Sequence, residues 1–177
     1  MCSNQIRAAF AFAVCFAAAI FTANAHAMTD EGRFPGAWRL VSAEYRAMDG
    51  SIIDSPWGPE PQGMIMYDSY GNMSAQLGRR ERARFAGGDQ LRGTPEEIKA
   101  AFESYNAYWG KYKVDEQART VTHLVQQAMF PNWTGSKQVR YYKLDGERLF
   151  ITSMWQPNQN LPGKPVTRGV LERERVK

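Results

Sequence analysis

Past residue 27 the chain has no cysteine, a single histidine and no long apolar run. Without cysteine there is no disulfide framework, so any fold must be held by its core alone. One histidine cannot supply the several His, Cys or carboxylate ligands of a zinc site, so no metal is expected. No stretch in this region is long enough to span a membrane as a helix. Also lacking are a nucleophile elbow, a phosphate-cradling glycine loop and a paired-carboxylate motif, which leaves no cofactor to expect. The net charge of +4 falls to +3 once Arg7 is set aside. That is mild, and no basic stripe is interleaved with aromatics, so nucleic acid is not an expected partner.

Both cysteines, Cys2 and Cys15, fall in the first 27 residues. Arg7 gives this segment a positive start, Ala8 to Phe21 is an apolar run, and Ala25-His26-Ala27 has the small-x-small form of a cleavage site. We read residues 1–27 as a signal peptide cut after Ala27. Residues 28–177 are then one secreted or periplasmic domain, large enough for a core. Phe12-Ala13-Val14 before Cys15 lacks the pattern that precedes a lipid-bearing cysteine, so no acyl anchor is expected.

Turn signals then recur at short intervals: Asp49-Gly50, Asp68 to Asn72, Asp115 to Arg119 and Asp145-Gly146. The Asp-Gly pairs suit type I′ hairpins. Between them lie eight strand-like runs rich in Val, Tyr, Thr and Ile: 37–46, 63–67, 73–77, 108–114, 120–127, 139–144, 148–154 and 166–173. This spacing predicts an all-β fold, an eight-stranded and mostly antiparallel barrel. One amphipathic helix, about 94–107, is predicted between the third and fourth strands. Thr94 is its N-cap, Pro95 its first residue and Glu97 closes a capping box. Ile98, Ala101, Phe102 and Tyr105 form an apolar stripe that should pack on the sheet.

Alternation assigns faces to each strand. With Trp38 inward, Leu40, Ser42 and Glu44 share its side. Tyr108, Gly110, Tyr112 and Val114 share another, as do Val121, His123 and Val125, and then Arg140, Tyr142 and Leu144. Met64, Met66 and Met73 are read as adaptable apolar surface. Glu44, Tyr108, Tyr112, His123, Arg140, Tyr142 and Trp133 are the candidate ligand-binding residues. Trp133 belongs to the aromatic loop Phe130 to Gly135, which can pack over a barrel mouth. His123 is the candidate for proton transfer, although a hydrogen-bonded core imidazole is the plainer reading. The run Arg79 to Arg84, followed by Gly87-Gly88, is a long cationic loop that is either a solvated connection or a lid toward an anionic ligand.

Gly36-Ala37-Trp38 opens the first strand, and Arg173 stands near the end of the last. Closure of a barrel would let Arg173 cover the Trp38 ring. This start resembles the lipocalin signature. The chain from Gly36 to Arg173 looks like the lipocalin-like domain family, on Gly36 to Ser42, Gly71 to Leu77, Tyr105 to Tyr112, Val121-Thr122-His123 and Phe130 to Trp133 with Gly135. The resemblance implies a small barrel with an internal cavity. It departs from true lipocalins in placing its helix mid-chain.

Three functions follow from this reading. The first is a secreted barrel that binds a small hydrophobic or amphiphilic molecule, anionic if the arginine loop is a lid. The second is a small isomerase, cyclase or dehydratase using His123 with pocket tyrosines. The third is an envelope interaction protein with a filled barrel. Binding is the favoured reading; the oligomeric state is left open.

Overall fold

The computed structural model describes residues 29–158, 163 and 165–177, so the segment expected to be a signal peptide and its expected cleavage site lie outside the described residues. A short helix α1 (Asp30–Arg33) leads into β1 (Gly36–Ala47), then β2 (Ile52–Ile53), β3 (Gln62–Tyr67) and β4 (Asn72–Gly78). Helix α2 (Pro95–Glu103) precedes β5 (Tyr105–Asp115) and β6 (Thr120–Ala128). A single 3-10 turn, Pro131–Trp133, leads to β7 (Lys137–Asp145), β8 (Arg148–Ser153), β9 (Gln156–Pro157) and β10 (Val166–Arg175). The strand order is β2-β1-β3-β4-β5-β6-β7-β8-β10-β9, and β1 also pairs with β10. That pairing closes an eight-stranded antiparallel barrel, to which the two-residue strands β2 and β9 are appended.

Each of the eight long runs read from the alternation is a barrel strand. Closure removes the open sheet edge, and inward positions of neighbouring strands then meet at one end. Trp38, Ile65, Tyr67, Met73, Tyr112, Val121, Tyr142 and Leu149 fill that end. Phe34, from the segment before β1, plugs it, with its ring 5.2 Å from that of Tyr67 and 5.0 Å from that of Tyr142, both edge-on. Its complete burial contributes about 1.5–3 kcal/mol. Trp38 Nε1 donates to the Phe34 carbonyl at 2.8 Å, fixing the plug to the first strand.

Six expectations need correction. The closing arginine is Arg175, not Arg173. Arg175 lies opposite Trp38 in the register and Arg173 opposite Leu40, one pleat further along. Glu44 does not share the Trp38 face, because β1 carries a bulge between Leu40 and Ser42 that shifts the alternation by one residue. Met64 and Met66 point away from the core, since Ile65 and Tyr67 take the inward positions opposite Ala75 and Met73.

The helix has the predicted capping box, with Thr94 Oγ1 accepting from Glu97 N and Glu97 accepting from Thr94 N. It nevertheless ends at Glu103. Tyr105 to Tyr108 instead pair with Gly78 to Ala75, and that ladder overrides the helical spacing. Its stripe is not packed on the sheet either, as Ile98 and Phe102 remain 50% and 47% exposed. The Asp145-Gly146 turn has positive φ at Gly146 but not at Glu147, the pattern of a type II′ rather than a type I′ hairpin.

Gly110 lies in the middle of β5, at a second bulge between Trp109 and Gly110. A Cβ there would lie 2.1 Å from the Leu124 carbonyl oxygen, so only glycine fits.

Candidate functional site

The half of the barrel opposite the Phe34 plug is hollow. The cavity measures about 330 Å³. Its walls come from inward positions of β1, β3 to β8 and β10, with Trp57 and Trp133 contributed by loops. Ile65, Ala75, Leu77, Ile151 and Leu171 are the apolar part of the wall. Tyr45, Tyr108, His123, Arg140, Thr167 and Arg173 supply most of its polar chemistry.

Tryptophans mark the outer part of the site. Trp57 Nε1 donates to the Tyr45 hydroxyl at 3.0 Å, which ties the β2–β3 connection over the wall. Trp133, on the 3-10 turn, sits edge-on to Tyr108 with ring centres 5.8 Å apart. Rings of this kind present a broad apolar face to a ligand while keeping one polar atom engaged.

Deeper in, His123 bridges two tyrosines. Its Nε2 is 2.9 Å from the Tyr67 hydroxyl, and its Nδ1 is 3.0 Å from the Tyr108 hydroxyl. Burial, followed by the charges of Arg140 and Arg173, pushes the imidazole down to about 3. It is therefore neutral at ordinary pH, donating to one tyrosine and accepting from the other. Burial raises the pKa of Tyr45, Tyr67 and Tyr108 as well, so these hydroxyls keep their protons. Among the described residues, the fixed charges on the cavity wall are thus the two guanidinium groups. Arg140 donates to the Val139 carbonyl at 3.1 Å and to Gln138 Oε1.

The sequence-derived candidates divide. Tyr108, His123, Arg140 and Trp133 come together on the cavity wall. Tyr112 and Tyr142 belong to the plugged end. Tyr112 donates to the Asp68 carbonyl at 2.8 Å, and Tyr142 donates to Asp30 Oδ2 at 3.1 Å. Glu44 faces away from the cavity and pairs with Arg46.

Arg79, Arg80 and Arg82 do not reach the cavity. They are held by the Pro56 carbonyl, by Glu60 and by Ser104 respectively. Arg173, expected as the closing residue, is on the wall instead. Tyr45, Tyr67 and Trp57 were not singled out from the sequence. Tyr45 and Tyr67 carry the alternating signal, but their phase depends on the β1 bulge and on the choice between Ile65 and the flanking methionines. Trp57 lies in a Pro- and Gly-rich connection where alternation says nothing.

The family model of the lipocalin-like domain matches residues 35–176. The chain is 34% identical over 88 residues to the 4'-hydroxy-3'-methoxypropiophenone carrier protein ppsC of Aspergillus oryzae (strain ATCC 42149 / RIB 40), a match covering 46% of this chain and 79% of that protein. Among solved structures, an uncharacterized protein from Bacteroides eggerthii DSM 20697 aligns at 14% identity with a TM-score of 0.37, over 80% of this chain and 98% of that one.

Proposed function

The chain belongs to the lipocalin-like domain family, and we propose that it is an exported barrel that binds a small, largely apolar molecule in its cavity. The observation that carries this reading is the cavity of about 330 Å³ whose aromatic and aliphatic walls are interspersed with hydroxyl, amide, imidazole and guanidinium groups, a mixed lining suited to a small amphiphile. The similarity to a carrier of an aryl ketone supports it. Trp57, Tyr45, Tyr108 and Trp133 would enclose an aromatic or amphiphilic body, while His123 and Arg140 fix its orientation. An open cavity argues against the filled-barrel alternative. His123 has both ring nitrogens engaged and a pKa near 3, which makes it a poor proton acceptor at neutral pH and weakens the enzymatic alternative. Export, with cleavage after Ala27, rests on the N-terminal sequence pattern.

Native mass spectrometry of protein purified from its producing cell tests the reading. A mass above that of the polypeptide, released on mild activation as one small organic molecule per chain, is the expected result. A chain that purifies empty and binds neither aryl ketones nor aryl amphiphiles in titration would refute it.

A further inference from the structure

Among the described residues, Arg173 is a buried cation without a counterion. Only 5% of it is exposed, and its Nε and Nη1 have no hydrogen-bond partner among the described residues. Among the described residues no aspartate or glutamate lines the cavity that it faces. Among the described residues neither Arg173 nor Arg140 belongs to an ion pair. The groups whose charge states act on Arg173 are Tyr67, Tyr108 and Tyr45. As neutral phenols these can solvate an ion but cannot neutralise the arginine. An arginine keeps its proton even when buried. A buried charge left in this state is strongly unfavourable for the empty barrel unless something else compensates it.

We propose that Arg173, assisted by Arg140, forms an anion subsite that takes the monoanionic carboxylate or sulfonate head of a ligand whose apolar body extends toward Trp57 and Trp133. This rests on the binding reading above and deepens it by assigning the ligand class: an amphiphilic organic acid. Arg173 is the principal contact because its Nε and Nη1 have no partner among the described residues, whereas Arg140 already donates to Val139 and Gln138. A planar guanidinium matches the two or three oxygens of such a head with parallel N–H···O bonds. The Tyr45 hydroxyl on the same wall accepts from Trp57 and is kept protonated by burial, so its own proton is free to go to the same oxygens. The arginine therefore gives up folding stability for ligand selectivity.

The test compares two fluorescent probes that share one ring skeleton, anilinonaphthalene sulfonate and the uncharged phenylnaphthylamine, against the wild type, Arg173→Met and Arg140→Gln. The wild type should bind one sulfonate probe per chain and prefer it to the neutral probe. Arg173→Met should weaken sulfonate binding about tenfold or more while leaving the neutral probe within about twofold. Arg140→Gln should weaken the sulfonate probe by a smaller factor. Without any probe, Arg173→Met should melt at the wild-type temperature or above it, because it removes an uncompensated charge.

A lower melting temperature or misfolding of Arg173→Met would make the arginine a structural residue and overturn the proposal. Equal losses for both probes, or an unchanged sulfonate preference, would overturn it as well. A wild type that binds the neutral probe but not the sulfonate sinks the subsite and leaves the binding reading intact. One that binds neither takes the binding reading down too.

Discussion

The guanidinium of Arg175 lies over the ring of Trp38, with its central carbon 4.1 Å from the ring centre. It also donates to the carbonyls of Pro35 and Arg33, at 2.7 and 2.5 Å, and pairs with Glu147 at 3.0 Å. One side chain from the last strand thus ties down both the first strand and the plug that precedes it. Trp38→Ala should cost about 3–5 kcal/mol, the range for deleting a buried aromatic. Arg175→Met should cost less, about 1–3 kcal/mol, for the carbonyls it leaves unpaired and the lost ring contact. Urea unfolding of the two variants checks both the order and the sizes.

Acid should destabilise the barrel through His123. Its ordinary pKa of 6.5 falls to about 3 on folding. Between these values the unfolded chain takes up a proton that the folded chain refuses. Stability is therefore complete above pH 6.5 and declines as the pH falls toward 3, at a limiting slope of about 1.4 kcal/mol per pH unit. The exposed carboxylates Asp49, Asp68 and Glu97 have lowered pKa values, so they too lose stability with acid, in both proteins. Urea midpoints measured across pH for the wild type and His123→Gln isolate the histidine. The variant should lose the part of the slope between about pH 6 and 4.5.

Gly110→Ala tests the second bulge. The added methyl would lie against the Leu124 carbonyl oxygen, and backbone on both strands must move to admit it. A loss of about 2 kcal/mol or more is expected from calorimetry or urea unfolding. The same change at Gly87, where nothing lies within 4 Å, should be near neutral.

Helix α2 should respond to its cap and not to its stripe. Thr94→Ala removes a complete capping box and should cost about 1 kcal/mol. Ile98→Ser with Phe102→Ser should change stability by less than about 0.5 kcal/mol each, because both side chains are half exposed. A larger effect of the serines would mean that the stripe is covered in solution.

Export should yield a chain beginning at Met28, a prediction that rests on the small-x-small site at Ala25 to Ala27. N-terminal sequencing of the extracytoplasmic fraction checks it. An acylated product starting at Cys15 would contradict it.

Strand count, barrel class and the helix start were legible because each depends on local pattern. Val121, His123 and Val125 alternate on their own strand, and Thr94-Pro95 with Glu97 is a cap whatever surrounds it. Features set by the partner strand were not legible. Arg173 and Arg175 share one face and one residue type, and only the register against β1 places one over Trp38 and the other beside the cavity. Phe34 has no periodic context, so nothing local marks it as the plug. Tyr112 and Tyr142 are inward as alternation predicts. Yet depth along the barrel axis separates them from the cavity, and alternation carries no information about depth.

The bulge at Leu40 and Ser42 governs more than the direction of a few side chains. If β1 ran without it, strict alternation from Trp38 would turn Glu44 inward where Tyr45 now stands. A carboxylate would then share the chamber with Arg140 and Arg173 and could neutralise one of them from within. The net sign of the interior thus depends on whether an odd or even number of residues separates Trp38 from the wall position. If Arg173 takes an anionic head as proposed, a single residue of slack in one strand decides whether the chamber favours acids or is indifferent to them. Related barrels could exchange one preference for the other by gaining or losing that slack, because it swaps Tyr45 for Glu44 at the wall.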